Sequence, residues 1–247
     1  MNFVIGDIHG EIAKLKLLIK QICLNDKTPS LIFIGDYLDK GENVYQTLSY
    51  IHELTNQYPT KFLIGNHEYL WLNLVKNNQK DTEIEKYLLK YGAKMTLHSF
   101  NSNNLLETRE RLLDDFQWLF QSLIPHYLIE DYLIVHSGLK PADFNKNPND
   151  INLKDLLFNR YDFIKNEDLY LNKYKIIFGH TGFYAPFVDH TKIGIDTAAC
   201  FLPEQPLTAF CIEGDFFINS FGSKIQLKEV PLNFSPNIPR NNPWRYE

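Results

Sequence analysis

The sequence predicts a mixed α/β (α+β) fold, on three observations. Residues 3–5, 31–34 and 62–64 are short apolar runs that each end at a glycine and a polar residue, Gly6-Asp7, Gly35-Asp36 and Gly65-Asn66. Runs of this length, rich in Ile and Phe and closed by Gly, read as buried strands. Between them the apolar residues recur at helical spacing, which makes the start of the chain a strand–helix–strand–helix–strand unit with parallel neighbours. Late in the chain, residues 207–212 and Phe216–Asn219 flank Glu213-Gly214-Asp215, the pattern of an antiparallel hairpin.

In chain order, Leu15, Leu18, Ile19 and Ile22 form one apolar stripe of a first helix, and Val44, Leu48, Tyr50 and Ile51 mark a second. Residues 67–122 read as a helical insertion, with periodic segments at 69–75, 84–91 and 114–120. Strands are expected again at Tyr132–Val135 and Lys175–Phe178, and a last one over residues 224–230. From residue 231 the chain carries Pro236, Pro239 and Pro243, and an irregular tail over 231–247 is expected. No linker, repeat or low-complexity segment interrupts residues 1–247, so one domain is the simplest reading.

The composition excludes several classes. Hydrophobic residues make up 44% and charged residues 22%, as in an ordinary globular protein, and the net charge of −5 offers no basic footprint for nucleic acid. The start, Met1-Asn2-Phe3-Val4-Ile5, is not that of a signal peptide, and no apolar run approaches membrane-spanning length. Cys23, Cys200 and Cys211 are odd in number and have no zinc-site spacing. They read as reduced thiols of a cytoplasmic protein.

The polar residues just past the strand ends carry the chemistry. Asp7 and His9 follow the first strand, Asp36 and Asp39 the second, Asn66 and His67 the third, His136 the fourth and His180 the fifth. In open α/β sheets ligands bind outside the carboxyl ends of the strands, so five strand ends can deliver metal-ligand residue types to one place. Asp7 and His9 sit at i, i+2 and can point the same way from extended backbone. The remaining histidines, His52, His98, His126 and His190, read as structural, and Glu68 reads as a helix-start residue that favours the positive end of the helix dipole. Tyr37 and Tyr184 read equally as pocket-lining or packing residues.

These blocks resemble a known family. Gly6-Asp7-Ile8-His9-Gly10, Gly35-Asp36-Tyr37-Leu38-Asp39-Lys40-Gly41, Gly65-Asn66-His67-Glu68, Val135-His136-Ser137-Gly138-Leu139 and Phe178-Gly179-His180-Thr181 are similar, in order and spacing, to the signature blocks of calcineurin-like metallophosphoesterases. The branch they resemble is that of the bacterial phosphoprotein phosphatases (serine/threonine phosphatases). Tyr91-Gly92-Ala93-Lys94-Met95-Thr96-Leu97, Leu156-Leu157-Phe158-Asn159-Arg160 and Ile193-Gly194-Ile195-Asp196-Thr197 add to the resemblance, which runs from about residue 3 to about residue 212.

The resemblance implies two packed β-sheets flanked by helices, a four-layer sandwich, and a binuclear metal centre. Asp7, His9 and Asp36 would hold one ion, and Asp36, Asn66, His136 and His180 the other. Two divalent ions are expected, manganese first, with iron or zinc as alternatives; carboxylate, imidazole and amide oxygen suit all three. A metal-bridged hydroxide would attack the phosphate in a single in-line displacement. His67 would be the general acid, Asp39 would orient it and favour its protonated form, and Arg160 would grip phosphate oxygens together with Asn66. Lys40 stands where the family usually has Arg, so the second phosphate clamp keeps its charge and loses the planar fork. Ala198 stands where it often has Gly. The resemblance thus implies a phosphomonoester hydrolase acting on a phosphoprotein (Ser/Thr, or Tyr), a phosphopeptide or a small phosphate ester. The alternative is a symmetrical dinucleoside tetraphosphate hydrolase. A catalytically silent scaffold is the remote alternative, since every expected ligand position is filled.

Overall fold

The computed structural model describes residues 1–76, 79–166 and 174–232. Most of the expected tail, from residue 233, lies outside them. The strands are β1 (Asn2–Ile5), β2 (Ser30–Phe33), β3 (Thr60–Leu63), β4 (Val75–Lys76), β5 (Gln79–Lys80), β6 (Leu123–Ile124), β7 (His126–Ile129), β8 (Tyr132–Val135), β9 (Lys175–Phe178), β10 (Phe187–Val188), β11 (Lys192–Gly194), β12 (Thr208–Cys211), β13 (Phe216–Asn219) and β14 (Lys224–Gln226). The helices are α1 (Ile12–Asn25), α2 (Val44–Thr55), α3 (Asn66–Asn73), α4 (Thr82–Lys90), α5 (Ala93–Ser99), α6 (Leu105–Asp115), α7 (Gln117–Ser122), α8 (Leu153–Leu157) and α9 (Tyr161–Lys165).

Two main sheets form. One runs β14-β13-β12-β1-β2-β3-β6 and the other β10-β11-β9-β8-β7, with β4 and β5 in a separate small hairpin. The βα units at the start make β1, β2 and β3 parallel neighbours, as their order predicts. The late hairpin is antiparallel, β12 against β13.

Strand alternation builds the layers, because successive side chains leave opposite faces. On β1, Phe3 and Ile5 pack toward the helices while Val4 faces the second sheet; on β2, Leu31 and Phe33 do the former and Ile32 the latter. The second sheet mirrors this. Ile134 and Ile177 join the layer between the sheets, while Leu133, Val135, Ile176 and Phe178 pack outward with Leu156 of α8 and Phe163 of α9. The result is helices, sheet, sheet, helices, the architecture the resemblance implies. The Leu15, Leu18, Ile19 and Ile22 stripe of α1 is buried in the outer layer of the first sheet. Among the described residues no helix is long and apolar enough to cross a membrane.

Three expectations need correction. The strand expected over 224–230 ends at Gln226, and Leu227–Glu229 is a 3₁₀ turn. Leu227 and Val230, three apart, both pack against the layer between the sheets, and a 3₁₀ turn aligns that spacing where a strand would not. The helix expected over 69–75 stops at Asn73, and Val75 starts the β4–β5 hairpin. The segment 114–120 is two helices that meet at Phe116.

Candidate functional site

The expected residues converge. Asp7 follows β1, Asp36 follows β2, Asn66 opens α3 just past β3, His136 follows β8 and His180 follows β9. Two sheets therefore feed one site. The turns that deliver these side chains are strained: His9 (φ 45°), Asp36 (φ 54°), Asp39 (φ 67°), Lys40 (φ 64°) and His180 (φ 64°) all lie in the left-handed region. Such conformations cost about 1–3 kcal/mol each and persist only where the surroundings enforce them. Ala198 shares this conformation at φ 60°, which accounts for glycine suiting that position. Close packing adds a further constraint at Gly179, where a Cβ would collide with the Asp7 carboxylate.

Asp36 is central and buried. Its Oδ2 is 3.2 Å from His9 Nε2 and 4.0 Å from His67 Nε2, and its Oδ1 is 3.4 Å from His136 Nε2. Burial raises its pKa, but the His136, His67 and His9 side chains outweigh that and hold the carboxylate well below its usual range. Backbone carbonyls set two of the imidazole tautomers. His9 Nδ1 lies 2.6 Å from Leu38 O and His136 Nδ1 lies 3.0 Å from Ile34 O. A carbonyl only accepts, so each Nδ1 carries the proton and each Nε2 presents a lone pair to the site. Burial, and for His9 then the Lys40 charge, lowers both pKa values, His9 to about 4.

The donor set fits divalent cations. His136 Nε2, Asn66 Oδ1 at 3.0 Å and Asp36 Oδ1 are acceptors facing one another with no proton to share. Asp7 Oδ2 accepts from the His180 backbone N–H at 2.9 Å, while its buried Oδ1 has no hydrogen-bond partner. Burial, then Asp196 and Asp36, push the Asp7 pKa well up. This buried group of carboxylates and imidazoles is short of positive charge. Among the described residues, the groups of His, Cys, Asp and Glu placed closely enough to hold an ion are His9–Asp36–His67 and Asp36–His136–His180. Asp7, expected as a ligand, lies outside both, and His67, expected only as an acid, lies within the first.

The helical segment supplies the other side. His67 Nδ1 is 2.6 Å from Asp39 Oδ2. Asp39 is fully buried and also accepts from Thr96 Oγ1 (2.6 Å) and Trp71 Nε1 (3.0 Å), while its backbone N–H donates to Thr96 Oγ1. Lys40 N–H donates to Gly92 O at 3.2 Å, which ties the α4–α5 junction to the same turn. Lys40, Asn66, His67, Arg160 and His180 line one pocket, joined by Tyr87, Tyr91, Gly182 and Phe201. The Lys40 ammonium reaches 2.7 Å from His9 Nε2.

Several residues were not foreseen. Glu68 is no mere helix-start residue. It is fully buried, and its carboxylate accepts from the backbone N–H groups of Asp36, Tyr37, Leu38 and Gly65 at 2.9–3.1 Å, clipping the β2 turn to α3. Burial, then Asp36, push its pKa up to about 8 against the pull of these donors. Its place beside Asn66 and His67 was the only signal. Asp196 is buried next to Asp7, and Thr96 and Trp71 hold Asp39; Asp196 and Thr96 lie in blocks that carry the family resemblance without a role attached, and Trp71 in a segment read only as helix. Tyr37 belongs to the core, donating to Leu63 O at 2.9 Å, and Tyr184 is exposed away from the pocket lining.

The sequence pattern described as calcineurin-like phosphoesterase matches residues 3–216, and the chain belongs to that family. A symmetrical bis(5'-nucleosyl)-tetraphosphatase of Buchnera aphidicola subsp. Schizaphis graminum (strain Sg) is 33% identical over 105 residues, 40% of this chain and 36% of that protein. The chain thus matches only about a third of that relative's length. Two solved structures share the fold. A cold-active protein tyrosine phosphatase superposes with a TM-score of 0.64 at 18% identity, covering 92% of this chain and 78% of its own. A putative diadenosine tetraphosphatase superposes with a TM-score of 0.62 at 16% identity, covering 88% and 91%.

Proposed function

We propose that the protein is a metal-dependent hydrolase of phosphate esters and anhydrides that cleaves symmetrical dinucleoside tetraphosphates. The observation that carries this reading is the pocket where the cationic Lys40 and Arg160 meet beside His67, His180 and Asn66, a lining suited to a chain of phosphates. The name of the matched curated relative supports the same substrate. It moves this reading ahead of the phosphoprotein phosphatase that the sequence blocks put first.

In this reading Asp7, His9 and Asp36 would hold one divalent cation, and Asp36, Asn66, His136 and His180 a second. When bound, the cations supply Lewis acidity that lowers the pKa of a water and neutralises phosphate charge. Arg160 and Lys40 bind phosphate oxygens and orient the phosphorus for in-line attack by water. The bond from phosphorus to the leaving oxygen breaks, and His67 Nε2 faces that oxygen as proton donor. Asp39 accepts from His67 Nδ1 and fixes the ring, and Thr96 and Trp71 fix Asp39. Glu68 keeps the Asp36 turn in register with α3.

A second reading, phosphomonoester hydrolysis, is favoured by the His67–Asp39 pair itself. An alkoxide leaving group needs a proton from a positioned acid, whereas a nucleoside diphosphate leaves readily without one. Product analysis separates the two. Manganese-loaded protein given diadenosine tetraphosphate should release ADP alone. No release while p-nitrophenyl phosphate is cleaved removes the first reading and leaves the second, and release of AMP with ATP removes both in favour of asymmetric cleavage. Turnover of neither removes both.

A further inference from the structure

We infer that Ser137 is a positioning residue that sets the aim of the Arg160 guanidinium, so that a hydroxyl outside the pocket governs how tightly the site holds phosphate. This rests on the reading in which Arg160 binds phosphate oxygens, and it adds what holds that side chain in place.

Arg160 lies between α8 and α9 and opens the second helix, where the Ile164 N–H donates to its carbonyl at 3.0 Å. The two helices have five residues each, too few to be stable on their own. Arg160 is exposed, and a long exposed side chain gives up rotamer freedom when it is held in one direction. Its reach into the pocket therefore depends on where the backbone of residues 156–160 is anchored.

The anchor is the turn after β8. Ser137 is fully buried, and its Oγ donates to Leu156 O at 2.8 Å while accepting from the Asn159 N–H at 3.1 Å. Its own N–H donates to Leu156 O at 3.0 Å. One hydroxyl thus joins the end of α8 to the residue just before Arg160. Gly138 presses on the far side of the same segment, where a Cβ would collide with the Phe163 ring of α9. The post itself is firm. The His136 carbonyl accepts from the Gly179 N–H at 2.8 Å, which ties the turn to the end of β9, and the His136 ring lies against Ile34 O. Arg160 lines the pocket and Ser137 is not among the lining residues. Removing the hydroxyl takes the acceptor from the half-buried Asn159 N–H and frees the peptide beside Arg160, while every partner of His136 stays.

Calorimetry with inorganic phosphate on manganese-loaded protein reads the aim of Arg160 without turnover, and elemental analysis reads the metal. Arg160→Ala should weaken phosphate binding by about thirtyfold, and Ser137→Ala by about fivefold with manganese content unchanged. In the Arg160→Ala background Ser137→Ala should make no further difference, because the hydroxyl acts through that side chain alone. Ser137→Cys fills the same space with a weaker hydrogen-bonding group. It should weaken binding less than alanine does, and it takes the place of alanine in the same comparisons if circular dichroism shows that Ser137→Ala does not fold. Phosphate affinity that matches the unsubstituted protein, a loss of manganese, or a weakening that persists without Arg160 overturns the inference. Failure of the underlying reading looks different. Unsubstituted protein that takes up no manganese or binds no phosphate, or an affinity that Arg160→Ala leaves unchanged, removes the phosphate clamp and the role of Ser137 with it.

Discussion

The two sides of the site are built on different principles. The proposed ligand side comes from five strand ends of two sheets, held by left-handed turns and by backbone carbonyls behind the imidazoles. The proposed acid side comes from helices, where a buried carboxylate, Asp39, is surrounded by donors from α3 and α5. The first side fixes positions through backbone shape and the second through side-chain hydrogen bonds. Backbone shape is the harder of the two to perturb by substitution. Changes on the ligand side should therefore act on metal content, and changes on the acid side on proton delivery alone.

The sharpest break is Asp36→Asn. It should lower kcat/KM by about a thousandfold or more and strip metal from the purified protein, as read by elemental analysis. Retained metal with retained rate would remove Asp36 from the centre. His67→Asn comes next. The rate on an alkyl phosphate should fall by about 10²–10³-fold, and the rate on p-nitrophenyl phosphate much less, because that leaving group needs no proton. Metal content should hold; if it falls, His67 belongs with the ligand side, in line with its place in the His9–Asp36–His67 cluster.

Glu68→Gln tests the joint between the two sides. The new amide group would face two of the four backbone N–H donors, and urea unfolding should show a loss of about 3 kcal/mol. An unchanged unfolding midpoint would show that the clip is dispensable. The smallest effect is expected from Thr96→Val, which removes both hydrogen bonds of the Thr96 hydroxyl with Asp39, the one it donates to Oδ1 and the one it accepts from the backbone N–H. Steady-state kinetics should show about a fivefold fall in kcat at constant KM. A rise in KM with kcat intact would assign Thr96 to substrate binding instead.

The same contrast explains what the sequence reveals. Strand-end residues announce themselves, because four short apolar runs stop at a glycine followed at once by Asp, Asn or His, and a fifth, Tyr132–Val135, passes directly to His136. The layer order also follows from alternation such as Phe3, Val4, Ile5. The helical side is less legible. Thr96 and Trp71 look like ordinary helix residues, and only the folded chain brings them, 57 and 32 residues away in sequence, to Asp39. Tyr87 and Tyr91 had a faint signal in their spacing beside Ile84 and Leu88. Short edge strands such as β6 and β10, two residues each, carry too little pattern to be seen. Residues 224–230 misled because their apolar members answer to a neighbouring layer rather than to a ladder.

One feature of the architecture reaches beyond chemistry. Asp36 and Asn66 hang from the seven-stranded sheet, and His136 and His180 from the five-stranded sheet. A cation shared among them, as proposed, would be a rivet through the seam of the sandwich. The spacing of the sheets would then be held twice, once by Ile32, Ile134 and Ile177 in the layer between them and once by coordination at its rim. Loosening the filling should loosen the rivet, so packing far from any phosphate tunes how tightly the rim grips its metal.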